Sequence, residues 1–451
     1  MAGRLSLDEL ERRSQTPVES LAQWRALGLI GSEGEGTFGE QDLQRARLIH
    51  LLLRRGVNLD SLVRVERTEP FLDRYLGYLS EHGEGAPRYS LAQVAERVGL
   101  DRGIVQRFFE AAGLVGTGEA FSDDDVGLLG GTKVILESGL PQEALVQLLR
   151  VYSEALARVA EAEIRLFHFY VHERLRAEGV SGRDLPAATD VARARMMPFI
   201  EPTILYFHRK GFASAVADDA LLHLQEGTGL MAPGQLRLAM VFVDLASFTP
   251  LTEIMGDEAA AKVLERFSQL VHDAVSRHDG RAVKQMGDAF MLAFREVGSA
   301  VACALEIERL SVAEPEFPAV RAGVQWGDVL YREGDYVGAN VNTAARLADA
   351  AERHQVLVTA AVKERAETVP HVEFVPVGRR VLKGMTEGLD LFEVRGAMDQ
   401  KTRRVVDPVC GIEVEPERAV ARLVFDGLER FFCCQLCLQR FVEAPERWTP
   451  R

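Results

Sequence analysis

The sequence predicts a multidomain chain: an all-α N-terminal half, an α+β domain of ferredoxin-like element order, and a small cysteine-rich C-terminal domain. Three observations carry this. The 451 residues exceed one ordinary domain. Apolar residues recur at helical spacing through the first half, and from Leu236 the pattern changes to short apolar strands alternating with helices. Four of the five cysteines fall after residue 409, a clustering that favours a metal site over crosslinks in a reducing compartment.

The totals exclude some classes. A formal charge of -14 argues against a surface that coats nucleic acid. The longest apolar runs, such as LAMVFV at 238–243, are far too short to span a bilayer. The N-terminal MAGRLSLDELERR lacks the apolar core of a signal peptide, so the expectation is a cytoplasmic protein with no membrane partner.

Residues 1–81 read as a first helical module, with turns at Thr16-Pro17 and at the glycine-rich GSEGEGTFG. The stretches SLDELERRSQTPVESLAQWRALGLI and FGEQDLQRARLIHLLLRRGVNL place leucines and Trp24 at core-like positions. The pattern resembles a winged helix-turn-helix of the MerR type, which implies DNA binding. The charges weigh against that partner: residues 1–75 hold eleven arginines and no lysine against twelve acids. The segment standing for a recognition helix begins PVES, and the wing segment carries Glu33 and Glu35, where phosphate contact would want cations. A helical interaction module is the reading retained.

A linker, HGEGAP at 82–87, leads into a second module at 88–180. There RYSLAQVAERVGLDRGIVQRFFEAAGL repeats the helix–turn–helix rhythm of the first, so the half holds two related units. From Pro141 to Leu175 apolar residues (Leu145, Leu148, Leu149, Tyr152, Leu156, Val159) keep helical spacing without internal proline or glycine. That is a long amphipathic helix needing a partner, and a dimer-forming connector is the natural reading. His168 and His172 lie one turn apart on it, placed either to bind metal or report pH, or as plain exposed residues. The module resembles the N-terminal regulatory domain of actinobacterial adenylyl cyclases, where it has been linked to pH sensing. Residues 181–230, with Pro186, Pro198 and Pro202, read as a helical linker region of several helices, ending in TGLMAPG.

Residues 231–397 carry the chemistry. The order strand (LRLAMVFVDLA), helix, hairpin (RAVKQMGDAFMLAF), helix, strand (AVRAGVQWG) is the split βαβ arrangement. Asp244 ends the first strand and Asp288 sits in the Gly287-Asp288 hairpin turn. Two carboxylates at the ends of buried strands are either plain turn residues or ligands of a divalent cation, and hard oxygen donors select Mg²⁺ or Mn²⁺. Backbone amides in ASFT at 246–249, including those of Phe248 and Thr249, are placed to cradle phosphates. Asn342 and Arg346 are four apart in a helical run, and Asp335 lies in the GDYVG loop before them.

The motifs VFVDLASFT, VKQMGDAFM, GDYVGANVNTAARL and VLKG, in this order over about 236–395, resemble those of class III nucleotidyl cyclases. The resemblance implies that Asp244 and Asp288 hold two metal ions and that Lys284 and Asp335 recognise adenine. Lys offers only donors, suiting ring N1, and Asp accepts from the exocyclic amine. It further implies that Asn342 orients the ribose, Arg346 stabilises transition-state charge and Lys383 contacts the terminal phosphates. The expected reaction is ATP to 3′,5′-cyclic AMP and pyrophosphate, in a homodimer whose active sites lie at the interface. The alternatives are a guanylyl cyclase, whose family pattern places Glu and Cys at the purine positions, and a transcriptional regulator that uses the fold to sense a nucleotide. Ser247 departs from the family, which often has glycine there; a positive φ at that turn would strain it. The stretch between Gly327 and Asp335 is also shorter than in the mammalian pattern.

After a charged joint, DQKTRRVV, residues 404–451 contain DPVCG, a turn at FDG, and FFCCQLC. This resembles a YHS-type metal-associated domain and implies Cys410, Cys433 and Cys437 as thiolate ligands, with Cys434 where the family commonly has serine. Soft thiolates select Zn²⁺ or Cu(I). Cys303, alone in an apolar helix, reads as core.

Overall fold

The computed structural model describes residues 5–31, 37–68, 70–82, 89–113, 121–180, 184–228, 236–314, 316–396 and 404–448. The predicted linkers HGEGAP, TGLMAPG and DQKTRRVV, and the wing glutamates Glu33 and Glu35, lie wholly or largely outside these residues. The chain forms two compact units, Met1–Asp219 and Ala220–Arg451.

The first unit is helical, as the sequence predicts, and repeats one layout twice. Helix α1 (Leu7–Ser14) starts at Ser6, whose side chain accepts the Glu9 N–H while Glu9 accepts from the Ser6 N–H. Helix α2 (Val18–Ala26) follows Pro17, and a bridge between Leu5 and Phe38 returns the chain to α3 (Glu40–Arg54). Leu21, Trp24, Phe38, Leu43 and Ile49 share the core. Helices α4 (Leu59–Thr68) and α5 (Phe71–His82) complete this part. The second pass has α6 (Leu91–Val98) with the same capping box at Ser90, α7 (Arg102–Ala111), a bridge between Tyr89 and Phe121, and α8 (Asp123–Glu137). The repeated rhythm in the sequence is therefore a repeated structure.

Helix α9 (Gln142–Phe167) continues through a π-turn at His168–His172 into α10 (Glu173–Ala177). The π-turn stacks the rings of His168 and His172, 5.0 Å apart at 16°. Within one chain Leu145 is buried, whereas Leu148, Tyr152, Leu156 and Val159 stay exposed. Helix α11 (Asp184–Gly227) corrects the expectation of several helices: its 44 residues run unbroken through Pro198 and Pro202. Each proline removes one helix hydrogen bond. The surrounding surface is largely exposed, so water can satisfy the carbonyls left over. No helix among the described residues is long and apolar enough to cross a membrane.

The second unit is built on an eight-stranded sheet. Strand β1 (Leu236–Leu245) leads through α12 (Phe248–Met255) and α13 (Asp257–Arg277) to the hairpin β2 (Arg281–Met286) and β3 (Ala289–Phe294). Then come α14 (Val297–Ala313), β4 (Val320–Arg332), β5 (Asp335–Val337), α15 (Ala339–Ala350), β6 (Val356–Thr359), α16 (Ala360–Ala366), β7 (Val372–Arg380) and β8 (Leu389–Gly396). The order β2-β3-β1-β4-β6-β8-β7, with β5 beside β4, contains the predicted split βαβ core as its first four strands. β1 lies between β3 and β4, antiparallel to both. Its residues alternate between two cores: Val241, Val243 and Leu245 meet Phe267 and Val271, whereas Leu238, Met240 and Phe242 meet Val341, Ala344 and Ala348 of α15. Burial on both faces explains why the strand reads as an unbroken apolar run. α15 comes this close because Gly323 lies beneath it; a Cβ there would stand 2.3 Å from the Ala348 nitrogen.

The C-terminal domain has β9 (Val405–Val406), β10 (Glu413–Val414), the hairpin β11 (Ala421–Phe425) and β12 (Leu428–Phe432), α17 (Gln435–Glu443) and α18 (Pro445–Trp448). Its core of Val409, Ile412, Phe432 and Phe441 also takes in Leu251 of α12. His354, just before β6, bridges the two domains, with Nδ1 3.4 Å from Glu308 and Nε2 3.3 Å from Glu413. Burial alone pushes its pKa down, and the two carboxylates outweigh that, raising it from 6.5 to about 9. A raised pKa stabilises the folded chain fully below about 6.5 and ceases to do so as pH rises through about 9. Replacing His354 by Gln should therefore lower unfolding free energy by up to about 3 kcal/mol at pH 6 and far less above pH 9.5. Urea titrations of both proteins across pH check this; a pH-independent difference would remove His354 as the cause.

Candidate active site

The hairpin β2–β3 turns in two residues. The positive φ falls on Gly287 (65°) and not on Asp288, which suits a type II′ turn and its glycine-first order. The register sets Asp244 opposite Ala289, and the Leu245 N–H donates to the Asp288 carbonyl at 3.3 Å. The two carboxylates predicted as metal ligands are thus brought together at adjacent strand ends.

A residue missed from the sequence completes this pair. Arg321 lies directly across from Asp244 on β4 and donates both Nε, at 2.8 Å, and Nη2 to Asp244 Oδ2. Burial pushes the Asp244 pKa up, Arg321 pulls it down, and the Asp288 charge pushes it up further. A half-buried carboxylate facing another carboxylate needs positive charge, and Arg321 supplies it from within the chain. The donor set, two carboxylates converging from neighbouring strands, fits a hard divalent cation such as Mg²⁺ or Mn²⁺. The one signal in the sequence was an arginine inside the apolar strand AVRAGV.

Between β1 and α12, Ser247 adopts φ 65°, ψ 32°, the left-handed conformation anticipated for this turn. For serine that conformation costs about 1–2 kcal/mol and must be held by its neighbours. It opens α12 at Phe248 and Thr249, whose amides stand at the helix N-terminus four and five residues beyond Asp244.

Lys284 and Asp335, distant in sequence, form an ion pair. Asp335 Oδ1 also accepts the Tyr336 N–H at 2.9 Å, and Arg281 stacks over the Tyr336 ring. Asn342 and Arg346 lie one turn apart on α15, and the Arg346 guanidinium stands beside Gly384, next to Lys383. Leu382 and Met385 anchor that loop against Leu347. One chain therefore assembles three groups: Asp244 with Asp288; Lys284 with Asp335; Asn342 and Arg346 with the 383–384 turn. Among the described residues no hydrogen bond or ion pair joins the aspartates to the other two groups.

The predicted thiolates also converge. Cys410 Sγ is 3.4 Å from Cys433 Sγ, which is 3.7 Å from Cys437 Sγ. Thiolates about 2.3 Å from a tetrahedral zinc stand about 3.8 Å apart, so the trio fits such an ion with little movement. Hydrogen bonds from Cys433 and Cys437 pull the Cys410 thiol well below its ordinary range, and holding the shared protons pushes those two up. Cys434 instead caps α17 and stands outside the trio. Asp407, fully buried, was missed: its carboxylate lies within the cluster and accepts the N–H groups of Val409, Cys410 and Cys433. The Asp-Pro turn signal in DPVCG was its trace in the sequence. Cys303 is core, as read, with burial raising its thiol to about 12.

Known families match each part of the chain. Residues 32–208 match the adenylate cyclase regulatory domain, 232–396 the adenylate and guanylate cyclase catalytic domain, and 405–451 the YHS domain. An adenylate cyclase of Streptomyces coelicolor is 30% identical over 280 residues, 61% of this chain and 71% of that protein. The chain belongs to the adenylate cyclase family. A protein named pH-sensitive adenylate cyclase from Mycobacterium tuberculosis is 25% identical, spanning 81% of this chain and 91% of that one. Among solved structures, an adenylyl cyclase from P. aeruginosa aligns with 20% identity over 37% of this chain and 96% of its own, at a TM-score of 0.33. The regulatory-domain match begins within the first helical module, the one resembling MerR proteins.

Arg321→Met leaves Asp244 half-buried without its cation. The cyclase should lose about 3 kcal/mol of unfolding free energy at neutral pH, with part of the loss recovered in saturating Mn²⁺. Urea midpoints with and without Mn²⁺ read this directly; an unchanged midpoint would mean Arg321 does not hold the carboxylate.

Proposed function

We propose that the chain converts ATP to 3′,5′-cyclic AMP and pyrophosphate at two sites formed across a homodimer. The observation that carries the choice of ATP is the Lys284–Asp335 pair. An ammonium that only donates, beside a carboxylate that only accepts, matches adenine N1 and its exocyclic amine and mismatches guanine. In the reaction the ribose 3′-hydroxyl attacks the α-phosphorus in line and pyrophosphate leaves. No covalent intermediate on the protein is needed, so positioning and charge stabilisation carry the rate. Asp244 and Asp288 would hold two Mg²⁺ or Mn²⁺ ions, which lower the pKa of the attacking hydroxyl and neutralise the leaving phosphate. Asn342 orients the ribose, Arg346 stabilises charge on the α-phosphate, Lys383 binds the terminal phosphates, and the Phe248 and Thr249 amides cradle them. The C-terminal trio Cys410, Cys433 and Cys437 would hold Zn²⁺ or Cu(I).

The dimer is supported by what one chain leaves apart and uncovered. Among the described residues no hydrogen bond or ion pair joins the aspartates to the purine pair, and Phe199, Phe207 and Phe212 of α11 are exposed. With the aspartates of one subunit facing the purine pair, Asn342 and Arg346 of the other, each chain serves two sites. The regulatory helices are proposed to act on this assembly, in the cytoplasm, and DNA binding by the first module stays disfavoured by its charge.

Asp288→Ala and Asn342→Ala should each reduce kcat by a factor on the order of 10²–10³ with ATP and Mn²⁺. Equimolar mixing of the two variants should restore cyclic AMP formation, since one intact site reassembles; mixtures as inactive as the parents would refute shared sites. The double variant Lys284→Glu, Asp335→Cys should move preference from ATP toward GTP, read as the ratio of kcat/KM for the two nucleotides. An unmoved ratio would sink the purine assignment.

A further inference from the structure

Helix α12 belongs to two cores at once. Phe248 packs against both the sheet core and the C-terminal core, and Leu251 is a buried member of the latter with Val409, Cys410 and Phe432. At the N-terminus of the same helix, Ser247 Oγ accepts from Arg353 Nη2 at 2.6 Å. The other amino group of that guanidinium, Nη1, donates to the Gly411 carbonyl, also at 2.6 Å. Gly411 follows Cys410 directly, and a Cβ on it would stand 2.7 Å from Ser247 Cβ. The cysteine turn therefore sits against the phosphate turn with no room for a side chain between them. Arg353 and Arg321, the partner of Asp244, line one cleft with Ala246 and Ser247.

Ser247 is left-handed, a conformation serine does not choose by itself. What holds it here are Arg353 and the abutting Cys410-Gly411 turn. That turn is tied in its own right, through the Asp407 carboxylate, to the backbone of Cys433. We propose that the thiolate centre and the nucleotide site are coupled through Arg353: a soft metal ion on Cys410, Cys433 and Cys437 fixes the Cys410-Gly411 turn, holds Ser247 left-handed, and preorganises the phosphate cradle. Arg353 is on this account a positioning residue, and metal occupancy of the tail tunes nucleotide affinity. The inference rests on the cyclase and thiolate readings above. Coupling between two binding sites is reciprocal, so nucleotide must tighten metal binding by the factor by which metal tightens nucleotide.

The test uses the full chain and Cd²⁺, whose thiolate charge-transfer absorbance is blind to carboxylate sites. Cd²⁺ is titrated with and without α,β-methylene-ATP and Mg²⁺, and nucleotide affinity is measured with and without Cd²⁺. In the unmodified chain both affinities should rise by the same factor, about fivefold or more. Arg353→Met should bring the factor to about one while the thiolate absorbance remains, and Ser247→Ala, which removes the acceptor on the other side, should do the same. A factor of one in the unmodified chain overturns the coupling alone. An undiminished factor in both variants overturns the route through Arg353. Absence of thiolate absorbance overturns the metal reading, and absence of nucleotide binding overturns the cyclase reading, each taking the coupling with it.

Discussion

Burial of β1 on both faces is the constraint on which the rest of the second unit depends. The strand is hydrogen-bonded on both edges and packed above and below, so no polar side chain is tolerated along its middle. Charge enters only at the strand's ends, at the exposed Arg237 and, where the strand leaves the sheet, at Asp244. That position fixes the carboxylate in direction and keeps water from screening it fully. Its energetic state then depends on what the adjacent strands deliver: a second carboxylate from the β2–β3 turn and a guanidinium from β4. Both Arg321 contacts fall on one oxygen of Asp244, Oδ2, while the Asp288 charge opposes them.

The same sheet sets the rest of the site by contact rather than by charge. α15 lies on β4 and β1 at a separation that only Gly323 permits, and this close seating aims Asn342 and Arg346 from a rigid element. Sites on helices held by a packed core are positioned more tightly than sites on loops. Lys284 and Asp335 pair with one another within the chain, so each orients the other.

The C-terminal domain is more than an appendage in this fold. Its core includes Leu251, its turn abuts Ser247, and His354 lies between Glu308 and Glu413 across the junction. Apolar, hydrogen-bonded and charged contacts all converge on the segment from Ser247 to Leu251 and on Arg353 and His354. A strained serine between β1 and α12 is a reservoir that such contacts hold in place.

The sequence by itself determined the elements whose signal is local. The apolar run ending in Asp244, the Gly-Asp hairpin, the four-residue spacing of Asn342 and Arg346, and the paired helical modules were all legible, because periodicity and turn chemistry act within a few residues. So was the cluster of four cysteines after residue 409, with the resemblance to the YHS family implying which three belong together. The tertiary structure alone decided the rest. Arg321 meets Asp244 across 77 positions and Arg353 meets Ser247 across 106, and no local rule reports such pairings. Asp407 stood in the sequence only as part of DPVCG, and burial with its backbone hydrogen bonds made it the anchor of the cysteine turn. Pro198 and Pro202 read as helix ends, yet α11 passes through both, because propensity is a weak prior against a long run of helix-forming neighbours. Local interactions wrote the parts; pairing across the sheet and packing around α12 decided which charges face one another.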